Sequence, residues 1–137
     1  MNRGDLQALS AVRLNEAKAL LKAGFPSGAW YLAGYAVECG LKACIAKQTR
    51  RYDFPDKVLV KDLHVHESNK LVAKAGLGEA LDARKDADRI FSANWELVRD
   101  WGPDGRYRAW SGEEATALIE AVEDNAHGVI SWIKQHW

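Results

Sequence analysis

Cysteine is scarce in this chain: its 137 residues include two, Cys39 and Cys44. Five positions apart in one helical stretch, they point to different sides and cannot bridge each other there, so no disulfide framework is encoded. Two thiols without a framework suit a reducing compartment, and thiols inside an apolar helix stay protonated and inert. Net charge is also missing, since nineteen basic side chains meet nineteen acidic ones. That removes a broad electrostatic grip on nucleic acid but leaves room for a local patch. No uninterrupted apolar run approaches the ~18 residues of a membrane span. Met1-Asn2-Arg3-Gly4-Asp5 leads straight into a helical pattern without an apolar signal region. A cytoplasmic protein with no membrane segment is the expectation. Gly-x-Ser-x-Gly, Walker A and dinucleotide glycine motifs are all absent, so no cofactor is implied.

What remains is an ordinary globular balance, 47% hydrophobic and 28% charged, on a chain long enough for one core. No repeat, low-complexity tract or Ser/Pro-rich linker divides it, so residues 1–137 are expected to form a single domain. A first helix is expected from Asp5, as N-cap, to Lys22, with Leu6, Leu9, Leu14, Ala17, Leu20 and Leu21 on one face. Arg13 falls within that face. A central helix runs from Ala29 to Lys47, capped by Ser27 and apolar on almost every side, which places it at the centre of a bundle. Gln48 to Asp62 reads as loop through Arg50-Arg51-Tyr52-Asp53-Phe54-Pro55, with an extended piece at Lys57–Lys61. A short helix follows at Glu67–Ala75. A long one is expected from Glu79 to Asp100, with Ala80, Ala83, Ala87, Ile90, Phe91, Asn94, Leu97, Val98 and Trp101 at helical spacing. The last helix opens on Ser111 and Glu114, a capping-box pair, and continues towards the C-terminus. Nothing alternates with period two. The expectation is an all-α, up-down bundle of four main helices plus one short helix.

Chemistry-bearing residues are few. Tyr31, Tyr35, Glu38 and Lys42, spaced 4, 3 and 4 apart, share a wedge of roughly 60° at ~100° per residue. They read either as an exposed Glu38–Lys42 ion pair flanked by tyrosines or as a surface where hydroxyls and an ammonium meet a phosphate or base. Arg13, costly on a leucine face unless paired, has Glu38 as its expected partner across the helix seam. Arg99, Arg106, Tyr107 and Arg108, with Trp101 and Trp110, form the densest basic and aromatic cluster, just before a helix N-terminus that favours anions. Arginine forks bind phosphate and aromatic rings stack on bases; the structural alternative is a solvated loop plugging the bundle end. His64, His66 and Glu67 lack a second ligand cluster, so no metal site is expected.

Three segments, Arg13–Leu21, the stretch Ala29-Trp30-Tyr31-Leu32-Ala33-Gly34-Tyr35-Ala36-Val37-Glu38-Cys39-Gly40-Leu41-Lys42-Ala43, and Arg106-Tyr107 ahead of a last helix near Glu113-Glu114-Ala115, make the chain resemble the HEPN family (higher eukaryotes and prokaryotes nucleotide-binding domain). The resemblance implies a small α-bundle, usually a homodimer, that binds nucleotide or RNA, often beside a minimal nucleotidyltransferase in a toxin–antitoxin-type pair. Catalytic members are metal-independent ribonucleases with an Arg, four to six intervening residues and a His; no arginine here has a His at that distance. The resemblance therefore implies a nucleotide-, RNA- or partner-binding module using Arg106, Tyr107, Arg108, Arg99, Tyr31, Tyr35, Glu38 and Lys42. Two alternatives stay open. One is a ribonuclease with an atypically placed His64 or His127; the other is a structural dimerisation protein whose six tryptophans form the seam.

Overall fold

Asn2, not Asp5, starts the first helix: its side chain accepts the Asp5 N–H at 2.9 Å and the Asp5 carboxylate returns to the Asn2 N–H at 3.0 Å. Asp5 is thus the reciprocating member of a capping box, and α1 begins earlier than expected, at Arg3–Lys22. Its end is a Schellman turn. Gly24 sits at φ +90°, and the Phe25 and Gly24 N–H groups reach back to the Leu20 and Leu21 carbonyls at 2.9 and 3.2 Å. The computed structural model describes residues 1–48 and 64–137. The loop reading of 50–55 and the extended piece at 57–61 lie outside the described residues.

Helix α2 (Pro26–Lys47) opens with proline in its first turn, where the missing N–H costs nothing. Ser27 therefore does not cap it; the Ser27 hydroxyl accepts the Trp110 N–H at 2.9 Å instead. Thirteen of the 22 residues of α2 are buried, so it is the axis around which the other helices pack. Small residues allow close approach: the Ser10 hydroxyl of α1 donates to the Ala36 carbonyl at 2.7 Å, and Gly34 accepts the Trp101 indole directly against the α2 backbone.

Short helix α3 (Ser68–Lys74) ends at Gly76 with φ +70°. The long helix expected over 79–100 is two, α4 (Gly78–Ala87) and α5 (Arg89–Arg99). The chain leaves the helix at Asp88 (φ −142°, ψ 101°), whose carboxylate caps the Phe91 N–H at 2.9 Å. Asp88 caps well, and Arg84 and His127 both reach its carboxylate, so tertiary partners override helix continuation. The break turns the buried face: Phe91, Trp95 and Val98 enter the core, while Ile90 and Leu97, expected inside, are 56% and 46% exposed. A 3-10 turn at Pro103–Tyr107 leads to α6 (Gly112–Glu123), which carries the expected Ser111–Glu114 capping box.

The final expected helix also divides. After Asp124 the chain turns, the His127 N–H bonding the Asp124 carboxylate at 2.6 Å, and α7 (Val129–Lys134) completes the fold. Gly128 lies so close to the preceding turn that a Cβ there would fall 2.2 Å from the Asp124 carbonyl. The architecture is all-α as expected, with no strand among the described residues, and two of the four expected rods are each broken in two. Phe91, Trp95 and Trp132 anchor the core through tilted and edge-to-face contacts at 5.7 and 6.2 Å. No described helix is long and apolar enough to cross a membrane.

Candidate functional site

The polar strip of α2 has a different neighbour at each end. At its N-terminal end Trp30 stacks face to face on Trp110, centroids 3.6 Å apart and planes within 9°. Gly105 lies flat against the other part of Trp30, where a Cβ would be 2.1 Å from the ring. That contact seats the 3-10 turn on α2 and carries Arg106 to the strip. The Arg106 guanidinium donates to the Tyr107 hydroxyl at 3.1 Å and lies 4.9 Å from the Tyr107 ring centroid. These contacts with Tyr107, joined by the Tyr31 hydroxyl, hold its pKa above the ordinary arginine value. Tyr107 is 80% exposed. Trp101 packs beneath Tyr31 at 5.8 Å, and the Tyr31 and Tyr35 rings lie parallel within 8° at 6.4 Å. Arg108 covers the Trp110 ring at 3.8 Å and pairs with Glu114 at 2.8 Å.

At the other end Glu38 is buried, not exposed. Its side chain is 3% accessible and one oxygen, Oε1, meets both Lys42 Nζ at 2.7 Å and His66 Nδ1 at 2.9 Å. The expected solvated i, i+4 pair is thus a buried one, because the segment before α3 folds His66 over it. The expected Arg13–Glu38 pair does not form. Arg13 turns along its own helix to Glu16, one turn away, and Glu38 is already satisfied from its own side. Arg13 remains close enough to Tyr35 and Cys39 for both to bear on its charge. Burial pushes the Cys39 and Cys44 thiols up to about 11, which keeps them protonated and unreactive at neutral pH. Burial likewise raises Tyr35, with the Glu38 carboxylate adding.

The structure therefore brings Arg106, Tyr107, Tyr31, Tyr35, Glu38 and Lys42 onto one strip, with Arg108 beside it on the Trp110 platform. Arg99 is engaged elsewhere, with Glu96 at 2.6 Å and Asp100 at 3.4 Å. His66 is the strip residue that sequence reasoning missed, since nothing in its spacing links it to a helix 28 positions earlier. Of the alternative histidines, His64 is exposed in a turn and His127 is occupied by Asp88 at 2.7 Å. That contact, with the Phe91 N–H, lowers the Asp88 pKa to about 2. Among the described residues no group of three or more His, Cys, Asp or Glu could hold a metal ion. A surface depression of about 390 Å³ lies away from the strip, lined by Lys18, Glu120, Glu123, Asp124 and Asn125. Its three acids outweigh its one base, which disfavours an anion there.

The strip can do three things chemically. Arg106 offers a forked cation to a phosphate. Tyr31, Tyr35 and Tyr107 offer faces to bases. The Glu38 carboxylate fixes one ring nitrogen of His66 and leaves a 49% exposed imidazole side chain above it. In comparisons with known protein families, curated proteins and solved structures, the chain gives no match.

Proposed function

We propose that this chain is a HEPN-like module that binds a nucleotide or RNA along α2, with a phosphate on Arg106. The supporting observation is the seating of the 3-10 turn on Trp30, which sets a guanidinium beside the parallel Tyr31 and Tyr35 rings. Binding needs no net positive charge on the protein, because a few local contacts suffice for a short ligand. Arg108 on Trp110 extends the basic and aromatic surface, and Arg99 is assigned no part. The reading includes a homodimer and a minimal nucleotidyltransferase partner in a toxin–antitoxin-type pair, supported by the resemblance of the second helix and the Arg106-Tyr107 segment.

Titration of tryptophan fluorescence with short RNA tests the binding. Wild type is expected to show saturable quenching that weakens with salt. Arg106→Ala is expected to bind about tenfold more weakly, in keeping with ~1.4 kcal/mol for a hydrogen bond to a charged group. Absence of saturable binding, or an unaffected Arg106→Ala, overturns the proposal.

A second reading, metal-independent RNA cleavage, is favoured by one observation: the buried Glu38 orients His66. An imidazole so held can take the proton of a ribose 2′-hydroxyl as its oxygen attacks the adjacent phosphorus; the departing 5′-oxygen takes a proton from water. RNA incubated with wild type and with His66→Ala separates the two readings. Cleavage lost in the variant replaces the binding module with a nuclease, and intact RNA in both leaves binding as the function.

A further inference from the structure

The two ends of the strip are too far apart for one phosphate. Tyr31, at the Arg106 end, and Glu38, at the His66 end, are seven residues apart on one helix, or roughly 10 Å at 1.5 Å per residue. Between them lie aromatic faces: Tyr31 and Tyr35, parallel and half-buried. At the far end the cations keep donors to spare. Lys42 has three N–H groups and Arg13 five, and Lys42 pairs with Glu38 and Arg13 with Glu16. Their side chains are 14% and 30% exposed, and that of His66 is 49% exposed. Neighbouring phosphates of a stacked strand lie farther apart than its axial rise of about 3.4 Å per nucleotide, because the backbone winds around the axis. The outer two of a tetranucleotide's three linking phosphates therefore match the separation of the two ends.

Building on the proposed function, we infer that the ligand is a single-stranded oligonucleotide of about four nucleotides rather than a mononucleotide. One phosphate sits on Arg106 and a second at the Arg13–Lys42–His66 end, with the intervening bases against Tyr31 and Tyr35. A mononucleotide reaches only one of these ends. Its gain from the second is lost, whereas a tethered second phosphate arrives at high effective concentration.

Binding of AMP, ATP and oligoadenylates of two, three, four and six nucleotides to the full chain tests the span. Affinity is expected to rise about tenfold or more from AMP to the tetranucleotide and then level off. ATP, charged but short, is expected to bind less tightly than the tetranucleotide. The slope of log affinity against log salt is expected to steepen from about −0.7 to about −1.4 as a second phosphate is engaged. His66→Asn, which keeps a partner for Glu38, and Arg13→Gln are expected to flatten the length dependence, with circular dichroism checking the fold. A tetranucleotide no tighter than AMP, or a length dependence unaltered in both variants, overturns this inference and leaves the proposed function standing. Failure of every ligand to bind overturns the proposed function itself.

Discussion

Replacing Gly34 with alanine tests the packing that supports the strip. Gly34 lies in the middle of α2, where alanine is favoured over glycine by about 1 kcal/mol on helix propensity alone. Tertiary packing opposes it: the new Cβ would lie 2.2 to 2.3 Å from three atoms of the Trp101 indole, Nε1 among them. Trp101 is 3% exposed and packs against Trp30 and Tyr31 at 6.1 and 5.8 Å, so the rigid ring would have to displace its neighbours to make room. Overpacking of this kind costs typically 1–3 kcal/mol, and contact with three ring atoms places it at the upper end. Subtracting the propensity gain leaves a net loss of about 2 kcal/mol. For a chain of this length that lowers Tm by roughly 4–10 °C. Gly28→Ala is the control on the same helix. Its Cβ would meet only the flexible tip of Leu20 at 3.2 Å, and it is expected to be neutral or stabilising. Urea and thermal unfolding of the two variants beside wild type give the answer. A Gly34→Ala protein as stable as wild type would show that Trp101 is not packed against the α2 backbone, and the seating of Arg106 would lose its support.

Two further outcomes are expected. Asp88, held at about 2 in the folded chain against an ordinary 3.8, contributes stability above its unfolded pKa that is lost as pH falls from about 4 to 2. Urea midpoints in that window are expected to drop less steeply in Asp88→Asn, and identical slopes would refute the contact with His127. Ser111→Ala removes the hydroxyl that accepts the Glu114 N–H at 3.1 Å; a loss of about 1 kcal/mol in urea unfolding is expected, and an unchanged midpoint would deny the cap.

Elements read directly from the chain are those whose signal is local. The apolar circumference of α2 and the Ser111–Glu114 capping box depend on residues within a turn or two of each other, and both stand as expected. Misreadings occur where a local preference met a distant partner. Asp88 looked like a residue inside an unbroken helical pattern, yet capping Phe91 while holding His127, 39 positions away, ends one helix and starts another. Ile90 and Leu97 share the helical spacing of Phe91 but lie outside, because the break resets which face meets the core. Glu38 and Lys42 form the pair their i, i+4 spacing suggests, but spacing carries no information on burial; His66 arrives from another segment to supply it.

Periodicity and end signals alone thus determined an all-α chain built around a greasy central helix, with Tyr31, Tyr35, Glu38 and Lys42 in one line, since each depends on neighbours at helical spacing. Whereas Arg13 and Arg99 take carboxylates within one turn of themselves, the tertiary structure alone decided that Arg106 reaches that line and that His66 covers Glu38. Those outcomes depend on how closely backbones approach at Gly34 and Gly105 and on which of several competing charges lies nearest, and neither is encoded in local spacing.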